Sequence, residues 1–121
     1  MKIPEFLLIF AEAGIPVSIE PHVPKGTDAK PKLMIAVDGF YKNGKVYLEL
    51  IDEENSTYKV HGRYGELGAI EDDAEDLLNL NYSEFCKYAG SDYQPTEAWG
   101  KMLVEMGYMK IETTSRYVGK S

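Results

Sequence analysis

Cysteine is almost missing from this chain: Cys86 is the only one in 121 residues, so no disulfide can form within it and the sequence suits a reducing compartment. Histidine is nearly as scarce, with only His22 and His61, and neither is near Cys86. A Cys/His metal cluster and a cysteine–histidine nucleophile are therefore not spelled out. Within Ser83-Glu-Phe-Cys-Lys-Tyr-Ala-Gly90 the cysteine is expected to be a small buried apolar residue. Long apolar runs are lacking too. The stretch Phe6 to Ala11, flanked by Glu5 and Glu12, is too short for a signal peptide, and nothing approaches the roughly 20 apolar residues of a membrane span. The expectation is a soluble, unprocessed cytoplasmic protein.

Positive charge is in deficit, 13 Lys and Arg against 20 Asp and Glu, for a net charge of −7. Nucleic acid and anionic membranes both demand a basic footprint, so neither is an expected direct partner. Nucleotide motifs are also missing: there is no glycine-rich fingerprint, and Lys25-Gly26-Thr27 has the wrong order for a phosphate loop. There is no Gly-x-Ser-x-Gly, no internal repeat and no low-complexity tract. No cofactor is implied. The length fits a single domain, residues 1–121, which can bury about two-thirds of its unfolded surface without disulfides or metal.

What is present is an alternating pattern from Lys32 to Tyr64 that predicts a three-stranded antiparallel meander. Asn43-Gly44 separates two apolar-alternating runs and predicts a type I′ hairpin, because both residues tolerate positive φ. That turn sets Tyr41 opposite Val46, Phe40 opposite Tyr47, Asp38 opposite Glu49 and Val37 opposite Leu50. A second turn at Glu53-Glu54-Asn55 sets Leu50 opposite Tyr58, Glu49 opposite Lys59, Leu48 opposite Val60 and Tyr47 opposite His61. One face then carries Leu33, Ile35, Val37, Tyr41, Val46, Leu48, Leu50, Tyr58 and Val60, the core side. The other carries Phe40, Tyr47 and His61 beside Asp38, Glu49 and Lys59, with Arg63 beyond. Opposed carboxylates at Asp38 and Glu49 repel. This exposed face is either an ordinary solvated surface, with Lys59 offsetting Glu49, or a recognition surface.

Around the meander, Pro4 to Ala13 predicts a short helix with Phe6, Ile9, Phe10 and Ala13 on one face and Gly14 at its end. Gly14 to Glu20 predicts a short edge strand, given Pro16, and Pro21 to Pro31 a surface loop. His61 to Gly68 is expected to be an irregular connection. Glu71 to Leu80 predicts an acid-started helix burying Ala74, Leu77 and Leu78. Ser83 is expected to cap a separate helix from Glu84 to Ala89, with Phe85, Tyr88 and Ala89 on its inner side and Gly90 closing it. Pro95 opens a helix with Trp99, Met102, Leu103 and Met106 on one stripe, ended by Gly107. From Tyr108 to Val118, Met109, Ile111 and Thr113 alternate with Lys110, Glu112, Thr114 and Arg116, predicting a strand that joins the sheet or forms a separate edge hairpin. The fold class is α+β: an antiparallel sheet with helices packed on one face and a C-terminal strand.

The acidity is local. Residues 65–97 hold nine acids against Lys87 alone, a net −8, whereas residues 32–64 are neutral. Glu71, Asp72, Asp73, Glu75 and Asp76 are the candidate partner-binding residues. They lack the glycine-turned spacing of a calcium loop, so no metal site is assigned. A full DNA mimic would spread carboxylates over much of its surface, which the neutral meander argues against.

The segments Arg63-Tyr-Gly-Glu66, Ile70-Glu-Asp72 and Asp76-Leu-Leu-Asn-Leu-Asn81, followed by Trp99 and Leu103 to Gly107, resemble small accessory proteins encoded by bacteriophages. The similarity covers roughly the C-terminal half and carries over no catalytic residue. It implies a non-enzymatic protein that binds a host component in an infected bacterial cell, with counter-defence as one such role. The leading expectation is thus a binding protein that inhibits or redirects a host protein, using the acidic segment against a basic, nucleic-acid-binding surface. The alternatives are a small-ligand or nucleotide sponge using Phe40, Tyr47, His61, Lys59 and Arg63, closed by the Lys25-Gly26-Thr27 loop, and a small acid–base enzyme built from Asp38, Glu49, His61 and Arg63.

Overall fold

A computed structural model describes residues 2–24, 30–88, 94–113 and 116–119. The expected loop at Lys25-Gly26-Thr27-Asp28, the helix end at Ala89 and Gly90, and Thr114 lie outside the described residues. Five strands form an antiparallel meander in chain order: β1 (Val17–His22), β2 (Lys32–Tyr41), β3 (Gly44–Asp52), β4 (Thr57–Gly62) and β5 (Gly65–Ile70). A 3-10 turn at Glu5–Leu7 leads into α1 (Leu8–Glu12); α2 spans Ala74–Lys87 and α3 Glu97–Glu105. β6 (Met109–Thr113) and β7 (Arg116–Gly119) pair as a separate hairpin, the second of the two expectations for this segment. The class is α+β, as the sequence implies.

The two central pairings have different outcomes. β3 and β4 pair as expected, Tyr47 with His61, Glu49 with Lys59 and Leu50 with Tyr58. β2 and β3 do not. Ala36 faces Tyr47, Val37 faces Val46 and Asp38 faces Lys45, while Tyr41 faces Gly44. The loop residues are thus Lys42 and Asn43, and neither adopts positive φ; the left-handed residue is Gly39, at φ +83°. An irregularity between Asp38 and Tyr41 supplies the twist that a type I′ turn would otherwise have given. Asp38 therefore does not oppose Glu49, and Phe40 leaves the polar face for the core.

That bulge takes carbonyls out of the ladder, and the helices satisfy them. Trp99 Nε1–H donates to Asp38 O at 2.7 Å, Thr96 N–H and Oγ–H donate to Gly39 O at 3.0 and 3.2 Å, and Asn81 Nδ2–H donates to Phe40 O at 2.8 Å. Buried backbone polar groups need such partners. This also explains why α2 is one helix rather than two: Asn81 spends its side chain on β2 instead of competing for its own backbone, and Ser83 lies inside the helix rather than capping one. The helix begins after Asp73, whose carboxylate accepts from Glu75 N–H at 2.9 Å, an N-cap two residues beyond the expected start.

The core joins Ile35, Val37, Val46, Leu48, Val60 and Ile70 of the sheet to Leu7 and Phe10, to Leu77, Leu78 and Phe85 of α2, and to Trp99, Met102 and Leu103 of α3. Several expected core residues fall outside it. Leu33 and Leu50 are exposed, lying toward the far ends of their strands. Ile9 and Met106 are exposed, with Leu7 buried in the N-terminal segment instead; Tyr88 is the C-cap of α2 and is exposed. Cys86 is exposed, because the buried stripe Leu77, Leu78, Asn81 and Phe85 leaves the next position turned outward. His61 to Gly68, expected to be an irregular connection, instead holds the end of β4, a tight turn and the start of β5, with one irregularity in the pairing between Val60 and His61. Among the described residues no helix is long and apolar enough to cross a membrane.

Candidate binding sites

Two surfaces combine residues from distant segments. The first is the polar face of the sheet. Following the register, each contact across it steps two residues along for each strand crossed, the diagonal on which a twisted sheet brings side chains together. Lys32 on β2 pairs with Glu49 on β3 at 3.1 Å, and Glu49 Oε1 accepts from His61 Nε2–H on β4 at 2.9 Å. A carboxylate only accepts, so Nε2 is the protonated nitrogen. Glu20 on β1 takes both oxygens to Lys45 on β3, at 2.9 and 3.2 Å, across Ala36. His22 reaches from β1 to stack on Tyr47, ring centroids 3.9 Å apart and planes 9° from parallel, on a diagonal that passes above Met34.

Closing these diagonals makes the face less open than expected. Met34, Ala36 and His61 are buried on it. Of the sequence candidates, the fold brings Tyr47, His61 and Glu49 together; Lys59 lies beside Glu49 in the ladder. It removes Phe40, which is 1 % exposed and packed edge-on to Trp99, so Phe40 cannot meet a ligand here. Asp38 lies opposite Lys45 and accepts from Gly39 N–H at 2.9 Å, away from Glu49 and His61, which dismantles the acid–base constellation. Arg63 packs over the Tyr41 ring at 4.8 Å. The residues that sequence reasoning missed are His22, Lys45 and Glu20. The β1–β2 pairing places Glu20 and His22 here, carrying the strand into the expected loop, and the shifted β2–β3 register places Lys45.

Glu49 carries a pH signature. The hydrogen bond from His61, with help from Lys32, holds its carboxyl below the usual range against the opposing effect of burial. A carboxylate depressed in the native state adds stability above its unfolded pKa of about 4.3 and loses it as pH falls through the folded value. Melting temperatures measured from pH 6 down to about pH 3 should therefore fall less steeply for Glu49→Gln than for the wild type. Parallel curves would show that this pair does not couple to folding. Glu84 works in the opposite sense, since burial pushes its carboxyl up, so Glu49 has to be isolated by substitution rather than read from the wild-type curve.

The second surface is acidic. Two of the five sequence candidates have structural duties: Asp73 caps α2, and Asp76 accepts from Glu71 N–H at 3.3 Å. Glu71, Asp72 and Glu75 are exposed. Asp72 alone enters a groove, of about 680 Å³, which it shares with Glu5 from the N-terminal segment and Glu53 from the β3–β4 turn. Ile3, Leu50 and Tyr58 give the groove apolar surface, and Lys2 is its one cation among the described lining residues. Burial and the nearby Asp72 charge push the Tyr58 hydroxyl pKa up. Among the described residues no group of three or more His, Cys, Asp and Glu is arranged to hold a metal. No protein-family model, curated protein or solved structure matches the chain.

Proposed function

We propose that this is a non-enzymatic binding protein whose acidic groove captures a basic segment of a protein partner. The observation that carries the reading is the convergence of Glu5, Glu53 and Asp72, from three separate parts of the chain, around Ile3, Leu50 and Tyr58. Acids spaced around an apolar strip complement a segment that offers Lys or Arg beside an apolar side chain, and such complementarity sets specificity and association rate. The chain's net charge of −7 steers in the same direction. A basic surface of that kind commonly serves nucleic acid, so occupancy of the groove would compete with DNA or RNA. In the phage setting that the resemblance implies, the partner is a host protein and the outcome is its inhibition or redirection.

Affinity capture from a bacterial lysate, at low and at moderate salt, tests the reading when the wild type is run beside Glu5→Lys/Glu53→Lys/Asp72→Lys. The expected result is a nucleic-acid-binding protein retained by the wild type at low salt, released as salt screens the charges, displaced by added DNA, and bound at least about tenfold more weakly by the triple variant. The three sites are exposed or at the rim, so the variant should melt within a few degrees of the wild type. Equal capture by both proteins would remove the groove from consideration.

A further inference from the structure

The polar face ends in a second pocket, of about 340 Å³, with the opposite electrostatic character. His22 and Tyr47 wall it, Gly44 and Gly62 line its floor, and Lys45 and Arg63 stand at its rim, with the Tyr41 ring beneath Arg63. In a chain of net charge −7, this lining has two permanent cations, Arg63 and Lys45, and no carboxylate among its described residues, the Glu20 that pairs with Lys45 lying outside it. Three other clefts among the described residues include acids: Asp38 and Glu97 beside α3, Glu66 and Glu84 beside α2, and the acidic groove itself. From these observations we propose that the pocket binds a nucleotide, with the planar base against the His22–Tyr47 wall and the phosphate between Lys45 and Arg63.

Each part of that assignment rests on geometry. The parallel His22–Tyr47 contact at 3.9 Å fills one face of each ring and holds the two as a single flat stack, and it is on the outer face of such a stack that a base would lie, since bases stack on aromatic faces without strong sequence preference. Lys45 is held in place by Glu20, through two of its three ammonium donors. Arg63 is fixed over Tyr41, and a guanidinium held in a plane is suited to phosphate oxygens. Gly44 leaves the floor low: a Cβ there would stand 3.4 Å from Arg63 Nη2 and 3.5 Å from Tyr41 Cδ2, in the space a phosphate would occupy. The size suits one mononucleotide. The pocket is separate from the acidic groove, and its ligand class does not depend on the protein partner proposed above.

The test is a titration of isotopically labelled protein, followed by amide NMR, with AMP, GMP, CMP and UMP, and in parallel with adenosine and inorganic phosphate. At least one nucleotide should shift Gly44, Lys45, Tyr47 and Gly62 saturably with a dissociation constant below about 1 mM, and adenosine and phosphate should each bind about tenfold more weakly or worse. Arg63→Gln, and Gly44→Val, which fills the floor at a position with no left-handed backbone, should each weaken the nucleotide about tenfold with the melting temperature retained. A lack of saturable shifts with all four nucleotides overturns the proposal. So does inorganic phosphate binding as tightly as any nucleotide, since the aromatic wall would then contribute nothing, or a folded Arg63→Gln that binds like the wild type.

Discussion

Replacing Trp99 with alanine is expected to destabilise the protein by about 3–5 kcal/mol, the range for removing a fully buried large aromatic. A domain of this size has roughly 5–15 kcal/mol in total, so the variant should sit near the edge of folding. Trp99 is fully buried and lies between Phe10, at 4.9 Å, and Phe40, at 5.5 Å, between ring centroids. Its indole N–H also satisfies Asp38 O within the bulge. Alanine thus opens a cavity where α1, α3 and β2 meet and removes a donor from a buried carbonyl. Trp99→Phe keeps most of the volume and loses the donor, so about 1–3 kcal/mol is expected. Urea unfolding followed by circular dichroism measures both, since the variants lack the only tryptophan. Losses under about 1 kcal/mol for alanine would mean that the three elements are held by other contacts.

The same junction explains what could be read from the sequence. The β3–β4 register was legible because the apolar alternation of Val46, Leu48 and Leu50 against Tyr58 and Val60 fixes it from both sides. The β2–β3 register was not, because Asn43-Gly44 carries a strong local hairpin signal that points to a different pairing. What outweighs it is long-range: Asn81, Thr96 and Trp99 all bond to the carbonyls of Asp38, Gly39 and Phe40. Those partners lie about 40 to 60 positions along the chain, beyond any local pattern. The helix stripes were legible at Leu77, Leu78, Trp99, Met102 and Leu103, where spacing alone decides the buried side. The expected break before Ser83 is absent for the same reason as the hairpin, a tertiary bond that Asn81 donates to Phe40 O.

The candidate sites follow that division. Tyr47 beside His61 was legible through the β3–β4 register, and the acids before and in the first turn of α2 through composition. Phe40 was misplaced by the bulge. His22 was missed because its contact with Tyr47 spans two strands on a diagonal, and nothing in Pro21-His22-Val23-Pro24 marks the residue as part of a wall. The acidic groove was legible only at Asp72, since Glu5 and Glu53 meet it through folding alone.

Gly39→Ala should be the second most damaging of the changes considered, and Gly107→Ala separates its causes. Both glycines adopt φ +83°, a left-handed conformation that costs a side-chain-bearing residue about 1–2 kcal/mol. Gly107 follows α3, its N–H donating to Val104 O, and a Cβ there meets nothing within 4 Å; its substitution should register the backbone cost alone. At Gly39 a Cβ would press on the Thr96 hydroxyl and come within 2.9 Å of Trp99 Cδ1, adding an overpacking cost of about 1–3 kcal/mol. The pressure acts on Thr96 N–H and Oγ–H, which pin the start of α3 to Gly39 O. Relaxing it favours the straight hairpin through Asn43-Gly44, which carries Phe40 onto the polar face and sets Asp38 against Glu49. Gly39→Ala should therefore unfold at a urea concentration well below that of Gly107→Ala. Its folded fraction should show altered amide shifts at Tyr47, Glu49 and His61, which the Gly107 variant leaves unchanged. Equal losses in the two variants, with the polar face undisturbed in both, would show that Gly39 is needed only for its backbone and not for the close approach of Thr96 and Trp99.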